Sequence, residues 1–100
     1  MYSQYNIMVR YKFDYSREKD LILMETRGVG FKDIISAINK GNLLDDINHF
    51  NTKAYPNQKI LIIRIRTKVY AVPYVIDKKR KVTFLKTIYP NRKLKKKYIK

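Results

Sequence analysis

The sequence predicts an α+β domain in which two N-terminal helices pack on an antiparallel sheet, in the order β-α-α-(β)-β-β-β. Three observations predict it. Apolar residues near the N-terminus recur at every second position, as on a strand. Between Leu21 and Ile38 they follow a helical spacing, interrupted by Gly28 and Gly30. The second half holds three dense runs rich in β-branched residues. A chain of 100 residues is the length of one domain, here 1–100, with 92–100 as a basic tail or short helix.

Taken in order, Tyr5, Ile7, Val9, Tyr11 and Phe13 alternate with Asn6, Met8, Arg10 and Lys12, the pattern of a half-buried strand. Asp14 or Ser16 then caps a helix whose first turn carries Glu18 and Asp20. That helix is expected to run to about Thr26 and to bury Leu21, Met24 and Ile22. In the next helix Phe31, Ile34, Ile35 and Ile38 form one apolar face, and Gly41 lies just past its end, where a left-handed residue is wanted. Leu43, Leu44 and Ile47 suggest a short strand, and residues 48–58 a loop built on Asn48, Asn51, Pro56 and Asn57. Three strands follow: Lys59–Arg66, Val69–Ile76 and Val82–Tyr89, joined by connections short enough for hairpins. Arg64 and Arg66 are expected on one face of the first, and Pro73 inside the second implies a bulge or a local edge.

Charge is the most informative feature of the composition. The chain has 23 Lys and Arg against 8 Asp and Glu, a net +15. Residues 1–50 hold seven of each sign and are neutral, so the whole excess lies in residues 51–100, where Asp77 is the single acid. A solvated tail accounts for residues 92–100 but not for Arg64, Arg66 and Lys86 inside expected strands. The asymmetry points instead to a polyanion partner: nucleic acid, anionic lipid or an acidic protein. With no cysteine, disulfides, thiolate metal sites and a cysteine nucleophile are excluded. No run approaches the roughly 18 apolar residues of a membrane span. The polar N-terminus is not followed by the apolar core of a signal peptide, so a cytoplasmic protein is expected.

Several residues together resemble a known pattern. Phe13-Asp14, then Lys19, then Arg27-Gly28-Val29-Gly30-Phe31 resembles the N-terminal half of the BrnT-type toxins, which carry an aromatic-Asp pair, a Lys, and His-Gly-Val/Ile-x-Phe opening the second helix. Phe84 to Lys95, with Ile88 ahead of Asn91 and Arg92-Lys93, resembles that family's closing Ile-Ser-Ala-Arg-Lys-Ala-Thr segment. The resemblance covers about residues 7–98. Arg27 stands where the family has His, Tyr89-Pro90-Asn91 replaces its small residues, and its terminal Glu is missing. The resemblance implies a RelE-like fold and a divergent member of the family. It also implies a toxin of a type II toxin–antitoxin pair, an endoribonuclease (mRNA interferase) neutralised by an acidic antitoxin. Operator DNA would be met only through the antitoxin complex, and the ribosome is a further candidate partner.

RNA cleavage needs no metal and no cofactor. The ribose 2′-OH attacks the adjacent phosphate, while the protein surrounds the phosphorane with cations, takes one proton and gives another. Asp45 and Asp46 do not suggest a metal pair, because neighbours on a strand face opposite ways. Arg92, matching the family's closing Arg, is the leading candidate for phosphate contact. Lys86, among Phe84, Leu85 and Ile88, is a candidate for phosphate stabilisation or proton transfer. The alternative for both is a solvated surface charge. Lys19 matches a family position, and His49, the only histidine, is the residue type suited to acid–base work near neutral pH. Salt bridging and a structural loop role are their alternatives. Arg64, Arg66, Arg27, Lys93, Lys95, Lys96 and Lys97 are candidates for RNA contact, and Tyr89, Tyr70 and Tyr74 for base stacking or core packing. Beside the ribonuclease stand two other readings: a non-catalytic RNA-binding module, and a DNA-binding regulator, for which no helix but the tail is conspicuously basic.

Overall fold

The computed structural model describes residues 11–99. Strand β1 (Lys12–Tyr15) leads into α1 (Arg17–Arg27) and α2 (Phe31–Asn39). Strands β2 (Leu43–Asn48), β3 (Lys59–Ile65), β4 (Lys68–Asp77), β5 (Val82–Leu85) and β6 (Tyr89–Pro90) follow, and α3 (Arg92–Tyr98) closes the order. The described residues form one six-stranded sheet with the path β1-β5-β4-β3-β2, while β6 pairs with β4 beyond the end of β5. This is the expected α+β arrangement with one correction. The sheet is mixed rather than wholly antiparallel, because β1 lies parallel to β5, Lys12 opposite Val82 and Tyr15 opposite Leu85. A parallel pair needs a long connection, and the chain from α1 to β4 provides it. The part of the expected first strand before Tyr11 lies outside the described residues.

Helix boundaries follow local chemistry. The Ser16 hydroxyl, not Asp14, accepts the Lys19 N–H and starts α1. Gly28 ends it in the left-handed region, at φ 67, with its N–H on the Met24 carbonyl. At the end of α2, Gly41 at φ 85 donates to Ile38 O while Asn42 donates to Ala37 O, which is the paired Schellman arrangement.

The buried face of α1 differs from the expected one. Leu23 is 2% exposed, whereas Leu21, Met24 and Ile22 are 63%, 52% and 48% exposed. On the side of buried Leu23 lie half-buried Asp20 and exposed Arg27, at i, i+3 and i+7. Asp20 accepts the Phe31 N–H at 2.7 Å and so caps α2, and Arg27 donates to the Ile88 carbonyl. Both neighbours of Leu23 on that side are charged, so the apolar pattern pointed to the wrong side.

Both faces of the central strands are covered. Leu61, Ile63, Tyr70, Val72 and Leu85 face α1 and α2. Ile60, Ile62, Val69 and Ala71 face Leu94 of α3. Hence Ile60 through Ile63 are all fully buried, and β3 reads as an unbroken apolar run. The tail is a seven-residue helix, not a free arm, begun by the Asn91 side chain, which accepts the Leu94 N–H. It is tied to β2 where Tyr98 donates to Asp45 Oδ2 at 2.5 Å.

The last expected strand is broken. β5 stops at Leu85 and pairing resumes at Tyr89. Between them Lys86 N–H donates to Pro73 O. A strand residue's N and C=O point the same way, so the absent N–H of Pro73 faces this gap, where no ladder bond is lost. The local edge expected at Pro73 is the interruption between β5 and β6.

Candidate nucleic-acid interface

The turn between β3 and β4 consists of two residues, Arg66 and Thr67. Strand β3 ends at Ile65, so Arg66 does not share a strand face with Arg64. It takes the first turn position with φ 57. Positive φ there alone is the sign pattern of a type II′ hairpin, a position that favours glycine. Arginine in that conformation costs about 1–2 kcal/mol. Backbone strain of this kind is retained where surrounding structure over-determines it, and it gathers at binding sites.

Three clefts meet around this turn. The first, of about 330 Å³, is lined by Lys40, Arg64 and Arg66 among others. The second, of about 440 Å³, is lined by Arg27, Arg66, Lys68 and Tyr70. The third, of about 320 Å³, has Lys68, Pro90, Asn91, Arg92 and Lys95 on its walls. Asp33, Ile65 and Arg66 belong to the first two, and Lys68 to the last two. The result is a continuous rim at one end of the sheet. Among the described residues seven cations line it with one carboxylate, Asp33, whose Oδ2 accepts the Gly30 N–H at 2.9 Å.

Each cation reaches the rim for a local reason. Arg64 N–H donates to Asn42 O, and its Nε donates to Arg66 O at 2.9 Å, which folds the guanidinium back over the turn. Arg27 is the last residue of α1 and is oriented by the Ile88 carbonyl. Arg92 and Lys95 are placed by the anchoring of α3: Asn91 N–H donates to Val69 O, and Leu94 is buried against the sheet. Lys93, Lys96 and Lys97 are exposed on the same helix, with Lys97 Nζ 5.4 Å from the Tyr98 ring centre. Tyr89 is half-buried beside Ala71, and burial raises its phenol pKa above the ordinary 10.0. At neutral pH it is an uncharged stacking surface and hydrogen-bond donor, not a base.

Three of the residues singled out for chemistry lie elsewhere. Lys86 is held beside Pro73, about 16 Å along β4 from Lys68, with its Nζ 5.6 Å from the Phe84 ring centre. Lys19 is at the start of α1, about 12 Å along the helix from Arg27. His49 follows the end of β2, beyond the far end of β3 from Arg66. Its Nδ1 accepts the Asn51 N–H at 3.0 Å, so a neutral ring carries its proton on Nε2.

Lys68, Lys40 and Asp33 joined the rim without a sequence signal strong enough to single them out. The nearest hint was Lys68, two residues from Arg66 across a two-residue turn. Asp45 and Asp46 do face opposite ways: Asp46 accepts from Tyr74 OH at 2.7 Å on the α1–α2 side, and Asp45 accepts from Tyr98 on the α3 side. Among the described residues, no helix is long and apolar enough to cross a membrane. No family profile, curated protein or solved structure matches this chain.

Proposed function

We propose that the protein engages RNA at the cation rim around the β3–β4 turn and cleaves it without a metal, as the toxin of a toxin–antitoxin pair held in check by an acidic antitoxin. The observation that carries this reading is the rim itself: among the described residues, seven cations and a single carboxylate around three joined clefts. Phosphates of an RNA strand fit such a surface through charge-assisted hydrogen bonds, with Arg66, Arg64 and Arg92 supplying planar forks. An acidic antitoxin would be steered to the same surface and cover it. The resemblance to BrnT-type toxins supplies the cleavage half of the reading.

In that chemistry a bond forms between the 2′-oxygen and phosphorus, and the bond from phosphorus to the 5′-oxygen breaks. The products are a 2′,3′-cyclic phosphate and a 5′-hydroxyl. Asp33, the carboxylate on the rim, takes the 2′-OH proton through the oxygen not engaged by Gly30. Lys68 gives a proton to the departing 5′-oxygen, and Arg92 with Arg66 balances the charge on the phosphorane.

A second reading, a non-catalytic RNA-binding module, is favoured by the separation of Lys19, Lys86 and His49 from the rim. Induced expression separates the two, comparing the wild type with folded Lys68→Ala/Arg92→Ala and Lys86→Ala variants. The ribonuclease reading expects growth arrest with fragmented RNA for the wild type and Lys86→Ala, and neither for the rim variant. Intact RNA and normal growth with soluble wild-type protein that still binds RNA would leave the binding module. Wild-type protein that does not bind RNA in low salt would end both.

A further inference from the structure

Loop 49–58 carries an aromatic group that neither the core nor the rim uses. Phe50 and Tyr55 are 58% and 45% exposed. Both rings gather on His49, whose ring centre lies 4.5 Å from that of Tyr55 and 6.4 Å from that of Phe50. Exposed aromatics on a floppy loop would mean little, but this loop is built. His49 N–H donates to Gln58 O, Gln58 N–H to Tyr55 O, and Tyr55 N–H to Asn51 O. Asn51 Oδ1 accepts the Ala54 N–H, and His49 Nδ1 accepts the Asn51 N–H. The rings are thus held outward by a backbone network that closes on the end of the sheet.

The electrostatic setting selects the occupant. From Ile47 to Ile76 the chain has no acidic residue, and Lys53 lies between the two rings in sequence. At the same end of the sheet, where Asn48 and Lys59 pair and β4 runs on to Asp77, the β4–β5 turn is Lys78-Lys79-Arg80-Lys81, all exposed. Arg80 is neutralised by Asp14 at 2.8 Å, and Lys59 is paired with Asp46 at 3.6 Å. No ion pair is formed by the other three turn lysines or Lys53 among the described residues. Half-exposed aromatic rings at an end of the sheet rich in cations suit unpaired bases joined by phosphates. A duplex keeps its base faces stacked and offers none.

We infer that Phe50 and Tyr55 form a base-stacking platform for a single-stranded stretch of nucleic acid, a contact separate from the cation rim. If the rim reading above holds, that strand is RNA. The platform and rim lie at opposite ends of β3, whose seven residues span about 20 Å, so one strand of several nucleotides reaches both. The inference rests on that reading only for the choice of RNA and for the strand's second anchor.

The test is fluorescence anisotropy with a labelled oligouridine of about ten nucleotides and with an abasic sugar-phosphate strand of equal length. Phe50→Ala/Tyr55→Ala is expected to weaken oligouridine binding by about tenfold or more and to leave the abasic strand unaffected. A Phe50→Tyr/Tyr55→Phe exchange, which keeps both rings, is expected to bind oligouridine like the wild type. Circular dichroism checks the fold of each variant. Unchanged oligouridine affinity in the alanine variant would overturn the platform and leave these rings to a protein partner. Equal losses on both strands would also overturn it. Failure of the rim appears differently: Lys68→Ala/Arg92→Ala would then bind both strands as the wild type does.

Discussion

Arg64 Nε donates to the carbonyl oxygen of Arg66 at 2.9 Å, closing a ring across the β3–β4 turn that holds the Arg64 guanidinium at the cation rim. The acceptor is backbone, so it survives any change of the Arg66 side chain. The left-handed φ of Arg66, by contrast, is a cost of carrying a side chain there.

Arg66→Gly therefore separates folding from binding. Relief of the left-handed strain outweighs the added entropy of glycine in the unfolded chain, and stability is expected to rise by about 0.5 kcal/mol. In a domain of this size that raises Tm by about 2–4 °C. RNA affinity is expected to fall in the same variant. Thermal unfolding and filter binding check the pair; a loss of stability would mean that the side chain has a structural role.

Salt dependence counts rim contacts. Each phosphate contact with single-stranded RNA contributes about 0.7 to the slope of log K against log salt. Lys68→Ala and Arg92→Ala are each expected to lower the slope by about that amount, and Lys86→Ala to leave it near the wild-type value. Titrations at a series of salt concentrations decide this.

Asp33→Asn tests the proposed base. Asparagine keeps an oxygen for the Gly30 N–H, so α2 remains capped. Cleavage is expected to fall by about 100-fold or more, while RNA binding stays equal or tightens because a negative charge leaves the rim. Single-turnover cleavage and equilibrium binding on one preparation would show it, and cleavage at the wild-type rate would remove Asp33 from the chemistry.

Anchoring of α3 sets where Arg92 and Lys95 sit. Leu94 is 7% exposed, and Leu94→Ala is expected to cost about 2–3 kcal/mol. Tyr98→Phe removes the bond to Asp45 and should cost about 1–2 kcal/mol. Urea unfolding gives both values, and the larger loss should carry the larger fall in RNA affinity.

Tyr89 gives a pH prediction. Burial raises its phenol pKa, so the unfolded chain ionises first as pH rises. The stability tied to the neutral phenol is fully present below about pH 10 and is lost as pH rises through the folded value. Tyr89→Phe should remove this part of the alkaline loss. The difference between variant and wild-type stability from pH 8 to 11 measures it.

Periodicity and composition by themselves determined the order of the main elements, both N-terminal helices, the two central strands and the start of the third, the glycine stops and the excess of charge in the second half. These are local or additive properties: side-chain period, φ preference and charge do not depend on distant partners. Only the tertiary structure decided which face of α1 is buried, because Asp20 and Arg27 on that side serve backbone groups at Phe31 and Ile88. It also decided that β1 joins β5 in parallel, and that the gap after Leu85 lies opposite Pro73. The rim is of the same kind. Arg27, Asp33, Arg66, Lys68 and Arg92 come from four stretches of chain, and only the end of α1, the start of α2, the β3–β4 turn and the anchored start of α3 bring them to one end of the sheet. Period and charge fix what each segment is; the pairing of segments far apart in sequence fixes which charges meet.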